Sequence, residues 1–208
     1  MRKILLAVAA SALVATAPAS ATGFAIYGSG WNPDAVEDAL GVGTSLSFPF
    51  GESGLGVDLR GSFYQEASVD LENIGDDDDD AVDIRDAGLQ IIPVDAALRY
   101  DFNNEGRANF YLGGGASYLF LDLDDGPDLD DEVGWLGFVG ARFGDPDGLN
   151  FFLEGGYRAV EATVRAEDLR DFFDDDDDGS QGPGEEIDED VDINLDGAML
   201  NLGLVWSF

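Results

Sequence analysis

The chain of 208 residues contains no cysteine and no histidine. Without cysteine there is no disulfide framework, so packing and hydrogen bonds must hold the fold. Without histidine, the Ser-His and Asp-His designs of hydrolases cannot be assembled, and neither can an H-E-x-x-H metal centre. Positive charge is scarce: ten Lys and Arg stand against 44 Asp and Glu, and the one lysine is Lys3. Such an excess repels nucleic acid and removes polynucleotide binding from consideration. With so many carboxylates, no particular pair stands out for acid–base work. Also missing is an apolar run of about 20 residues, the length a membrane-crossing helix needs.

What is present begins with "MRKILLAVAASALVATAPASA". Arg2 and Lys3, an apolar run from Ile4 to about Ala17, and Ala19-Ser20-Ala21 predict a secretory signal at 1–21, removed after Ala21. The mature chain, 22–208, then forms one domain with 8 arginines against 44 acids, a formal charge of −36. A disordered acidic chain would carry such a charge. That alternative fails because 45% of the residues are hydrophobic and 11% aromatic, and they alternate while the acids cluster.

Period-2 alternation predicts eight strands, at 23–30, 41–50, 55–67, 89–102, 107–121, 133–143, 150–164 and 198–208. In "VDAALRYDF" the larger set is Val94, Ala96, Leu98, Tyr100 and Phe102, against Asp95, Arg99 and Asp101. Short glycine-bearing turns at 51–54, 103–106 and 144–149 alternate with long segments at 31–40, 68–86, 122–132 and 165–197. An antiparallel up-and-down β-barrel produces that order, with short turns on one side and long connections on the other. Transmembrane barrels segregate them as short periplasmic turns and longer extracellular loops.

If the apolar face meets lipid, Asp58, Arg60, Asp95, Arg99, Asp101, Arg142, Glu154 and Arg158 all fall on the inward parity. Eight strands leave an interior that side chains just fill. Charges there need partners, so an arginine–carboxylate network is expected to plug the lumen. Rings should form two girdles at the lipid–water interfaces. One comprises Phe48, Phe50, Tyr100, Phe102, Phe110, Phe143, Phe151, Trp206 and Phe208, and the other Tyr27, Trp31, Phe63, Tyr118, Phe120 and Trp135. A soluble lipocalin-like carrier would reverse the faces, and a narrow solute channel would need an open bore.

The signal, "IIPVDAALRYDF", "NFYLGGGASY", "FFLEGGYR" and the closing "LNLGLVWSF" resemble the small outer-membrane β-barrels of the OmpA/OmpX/OmpW-like family. The resemblance implies an integral outer-membrane protein without enzymatic activity, in a structural or surface-interaction role. It also implies that Leu202, Leu204, Trp206 and Phe208 form the C-terminal signal read by the barrel-assembly machinery. Expected partners are outer-membrane lipid and lipopolysaccharide, with no nucleic acid, and the expected state is a monomer.

The acidic blocks "IGDDDDDAVD", "LDLDDGPDLDDE" and "FFDDDDDGSQGPGEEIDEDVD" fall in the long connections. Solvation explains them, and an Asp-rich, lysine-free mature surface also suits concentrated salt. No cofactor is expected beyond loosely bound divalent cations, whose oxygen ligands these are. Asp192, Asn194 and Asp196 match the first half of an EF-hand loop, but Gly203 stands where the bidentate acid belongs, so they are weak metal candidates.

Overall fold

A computed structural model describes residues 23–34, 38–74, 82–103, 107–123, 131–145, 148–164 and 191–207. The strands are β1 (Gly23–Pro33), β2 (Ala39–Pro49), β3 (Leu55–Ile74), β4 (Val82–Asp101), β5 (Ala108–Leu123), β6 (Glu132–Gly144), β7 (Leu149–Ala159), β8 (Glu161–Val164), β9 (Val191–Asn194) and β10 (Gly197–Ser207). Eight of them close a barrel in the order β1-β10-β7-β6-β5-β4-β3-β2. Every pair is antiparallel, from Gly23↔Ser207 and Pro33↔Gly197 at the closure to Trp135↔Ala159 and Gly144↔Asn150 between β6 and β7. Closure leaves no free sheet edge around the wall, which a lipid environment demands.

The short turns and the two described chain ends share one rim. Gly23 pairs with both Ser207 and Ser47, and the Ser207 N–H donates to the Gly148 carbonyl at 3.0 Å. At the opposite rim, β3 and β4 run on together beyond the expected bounds, pairing Ser68↔Gly88 and Ile74↔Val82 through register shifts. The expected strand at 150–164 breaks at Val160 into β7 and β8, and β8 pairs with β9 as a separate two-stranded sheet. Residues 1–22, the central acidic blocks and Phe208 lie outside the described residues.

Orientation follows the alternation. Leu98 is 61% exposed and its neighbour Arg99 is 4% exposed. Phe50, Tyr100, Phe102, Phe110, Phe143 and Phe151 face outward near the short-turn rim, while Tyr118 and Trp135 face outward toward the other. The lipocalin-like reversal of faces is therefore not the arrangement found. Two members of the second girdle are corrected: Tyr27 and Trp31 point into the bore, and Trp31 is 1% exposed. On β1 the outward places are taken by Phe24, Ile26, Gly28 and Gly30, so Tyr27 and Trp31 fall on the inward parity with Ala25 and Ser29. Inward glycines make room for them. A Cβ on Gly43 would strike the Tyr27 ring, and one on Gly140 would strike Tyr111.

A further departure concerns what fills the bore. Its charged part gives way toward the long-connection rim to a packed apolar cluster including Trp31, Tyr64, Ile91, Leu119, Leu121 and Met199. Val160 at the β7–β8 break, Ile193 on β9 and Leu195 between β9 and β10 join it. Runs such as "YLFLDL" are apolar on both parities, so alternation does not mark their inward members.

The β2–β3 turn generates a stability prediction. Gly51 and Gly54 adopt φ of 63° and 76°, where a side chain costs about 1–2 kcal/mol. A Cβ on Gly51 meets open space, whereas one on Gly54 falls 2.6 Å from the Asp101 carbonyl oxygen. Gly54→Ala is expected to lower unfolding free energy in detergent clearly more than Gly51→Ala, as measured by urea titration. Equal losses would contradict the close approach of β3 to β4 at this turn.

Candidate functional site

The candidate site is the ion-paired bore. Antiparallel registers bring inward positions of β3, β4, β6 and β7 to face one another across a narrow barrel. Arg60 on β3 donates to Glu154 on β7 through both terminal nitrogens, Nη1 to Oε1 at 2.6 Å and Nη2 to Oε2 at 3.0 Å. Its Nη2 also reaches Asp58 Oδ2 at 3.1 Å. The other oxygen of Asp58 accepts from Arg99 Nη1 at 2.6 Å, and Arg99 Nε donates to Asp101 Oδ2 at 2.9 Å. Arg142 closes the series, 3.9 Å from Asp101 Oδ1. Arg158 sits apart, its Nη2 held between the two Asp95 oxygens at 3.0 and 3.1 Å. All eight inward charges named from the sequence are thus paired, four cations against four anions.

Neutral side chains extend the network, and sequence parity alone did not single them out. Asn201 donates to Glu154 Oε1 at 2.9 Å and accepts from Ser29, whose hydroxyl also meets the Tyr64 hydroxyl at 2.6 Å. Ser47 accepts from Arg99, Asn109 donates to Asp101, and Ser117 donates to Asp95. Ser29, Ser47, Asn109, Ser117 and Asn201 stand on the inward phase of β1, β2, β5 and β10, where that phase carries no charged residue to draw attention to them. Rings cover the cations, with Arg60 lying 3.8 Å above Phe138 and Arg158 5.0 Å above Trp31. Arg158 Nε and Nη1 and Trp31 Nε1 are buried without a partner among the described residues. The void left in this network is about 20 Å³, bordered by Tyr27, Asp58, Arg60, Arg99, Arg142 and Glu154. That volume holds about one water.

The other candidates lie elsewhere. Leu202 and Leu204 project outward from β10, and Trp206 stacks on Phe24 of β1 with ring centroids 6.2 Å apart. Asp192 pairs with Thr163 and Asn194 with Glu161 in the β8–β9 ladder, so both stand on a strand. Asn194 accepts from the Asp196 N–H, and the Asp196 carboxylate accepts from the Val160 N–H at 2.7 Å, bracing the β7–β8 break.

No protein-family model matches the chain, and no curated protein matches it in sequence. Among solved structures it is similar to the outer membrane protein OprG from Pseudomonas aeruginosa, at 17% identity and a TM-score of 0.65. That match covers 91% of this chain and 97% of OprG. Neisserial surface protein A is similar at 13% identity and a TM-score of 0.52, covering 90% of this chain and 96% of that one. The fold is that of a small outer-membrane β-barrel. Its exterior agrees, because the wall presents hydrocarbon side chains where a soluble barrel would present polar ones.

Isolation of the Arg158–Asp95 pair makes it the cleanest test of the bore. Removing one partner of a buried pair leaves an uncompensated charge and costs about 3–5 kcal/mol, while replacing both by apolar groups is often neutral. Arg158→Met alone should therefore destabilise strongly in detergent, and adding Asp95→Leu should restore most of the loss. Additive losses in the double variant would show that the two charges do not neutralise each other.

Proposed function

We propose that the protein is a non-enzymatic, integral outer-membrane barrel with a closed bore, which presents acid-rich connections at the cell surface. The observation that carries this reading is the unbroken series Glu154–Arg60–Asp58–Arg99–Asp101, which crosses the bore and leaves room for about one water. A structural or surface-interaction role follows, with cations, lipopolysaccharide and other surfaces as partners of the Asp-rich segments. The placement of Neisserial surface protein A, as its name states it, agrees with surface display. Divalent cations in this reading condense loosely on the acids, and the barrel works as a monomer.

Fractionation tests the membrane half of the proposal. The expressed protein should partition with detergent-extracted outer membrane and migrate differently on gels before and after heating; recovery as a soluble monomer without detergent would refute it. Planar-bilayer recordings test the closed bore, and discrete single-channel steps from the wild-type barrel would contradict it.

The β10 terminus supplies a separate check. Replacing the final ring, Phe208→Ser, should reduce outer-membrane insertion in cells about tenfold while leaving refolding into detergent unchanged. An equal loss in both settings would give the ring a purely structural part and remove the assembly-signal role from Leu202, Leu204, Trp206 and Phe208.

A further inference from the structure

The bore pairs are not of equal quality. Arg60, Arg99 and Arg158 each hold a carboxylate at hydrogen-bond distance. Arg142 makes no hydrogen bond among the described residues. Its one carboxylate neighbour there, Asp101 Oδ1, is 3.9 Å away and already accepts from Asn109 at 2.9 Å. The other Asp101 oxygen accepts from Arg99. Arg142 thus brings into the bore five N–H donors that no described side chain receives. Its guanidinium lies 5.0 Å over the Tyr111 ring, with the side chain 17% exposed.

The void of about 20 Å³ borders this residue. Around it stand the guanidiniums of Arg60, Arg99 and Arg142 and the carboxylates of Asp58 and Glu154, which leaves one positive charge in its lining. Every oxygen of those two carboxylates already accepts from an arginine. Arg60 Nε, by contrast, is buried without a partner among the described residues. Free hydrogen-bonding capacity around the void is therefore weighted to donors. A water would bring two hydrogens to a place short of acceptors, whereas an anion only accepts, and charged acceptors make the stronger bonds. Size narrows the choice. Room for about one water admits a single-atom anion and excludes phosphate, sulfate or an organic acid.

We propose that the void binds one halide ion, chloride in the protein's own medium, held by Arg142 and by Arg60 Nε. The pair Asn109↔Arg142 lies one step from the end of the β5–β6 ladder at the short-turn rim, so the ion enters from that side. The acidic blocks lie toward the opposite rim, and salt that supplies the ion also screens their field. Asp101 is the local competitor, since its charge faces the same guanidinium. The site rests on the closed bore proposed above, which single-channel recordings test separately.

Thermal unfolding of the full chain refolded in detergent tests the site, with sodium held constant and chloride exchanged for gluconate, an anion too large for the void. Replacing gluconate by about 0.5 M chloride should raise the Tm of wild type by about 4 °C. Arg142→Gln, which leaves Asp101 bonded to Arg99 and Asn109, should lose that rise. Asp101→Asn, which removes the competing carboxylate, should enlarge it about twofold. Arg107→Gln, which removes an exposed arginine before β5, should keep it. Heat-modifiable migration of each sample shows whether the barrel formed, which separates failure of the site from failure of the fold. Crystals grown in bromide give the direct view: one anomalous peak in the bore within hydrogen-bond reach of Arg142, absent from Arg142→Gln. Equal Tm of wild type in chloride and gluconate would overturn the proposal. So would an undiminished rise in Arg142→Gln, loss of the rise in Arg107→Gln, or a bore that holds only water in bromide.

Discussion

Pairing of the bore charges is the condition on which the rest of the structure depends. Eight strands close on an interior with room for side chains and little else. A charge placed there loses its water, and only a partner with good geometry offsets the several kcal/mol lost. Arg60 meets that condition by gripping Glu154 with two nitrogens while one of them also reaches Asp58. Arg99 does the same between Asp58 and Asp101. The Arg60–Glu154 and Arg158–Asp95 bridges join strands distant in sequence, β3 to β7 and β7 to β4, so the network fixes the mutual placement of the walls as well as filling the space between them.

The interior is nevertheless of two kinds. Toward the short turns and through the middle the ion pairs share the space with Ala25, Tyr27, Tyr111, Phe138, Phe152 and Val205, and toward the long connections stands a packed core of Trp31, Tyr64, Ile91, Leu119 and Leu121. Arg158 stands at the boundary, bonded to Asp95 on one side and lying over Trp31 on the other. This stratification makes physical sense for a barrel whose long connections carry repelling charge. An apolar cap braced by Val160, Ile193 and Leu195 needs no counter-charge from the connections above it. The strand extensions above the wall therefore leave the ionic pairing below undisturbed.

Much of this was legible in the sequence. Alternation located the eight wall strands, the alternation of short and long connections gave their order, and parity put all eight bore charges on the inner face. What parity could not supply was who meets whom. Arg60 and Glu154 are 94 residues apart, and their meeting depends on stagger around the closed sheet, which no local pattern encodes. Tyr27 and Trp31 stand near a long connection, as girdle rings would, but their phase with Ala25 and Ser29 puts them in the bore. Inward glycines such as Gly43 reveal their purpose only once the ring opposite is known. The upper parts of β3 and β4 escaped for another reason: the apolar period fades in "EASVDLENI" while the backbone pairing continues through register shifts.

Composition and architecture then explain one another. Residues 22–208 include 8 arginines, and four of them, Arg60, Arg99, Arg142 and Arg158, lie in the bore with four of the 44 acids. Among the described residues the bore charges therefore cancel, and the remaining four arginines and 40 acids account for the whole formal charge of −36. Lysine would serve poorly inside, because a single ammonium point charge cannot hold two carboxylates from different strands in the planar, forked geometry that Arg60 and Arg99 use. Its absence from residues 22–208 thus leaves the interior intact. A surface can be made extremely acidic without weakening such a fold as long as every carboxylate that turns inward has its guanidinium.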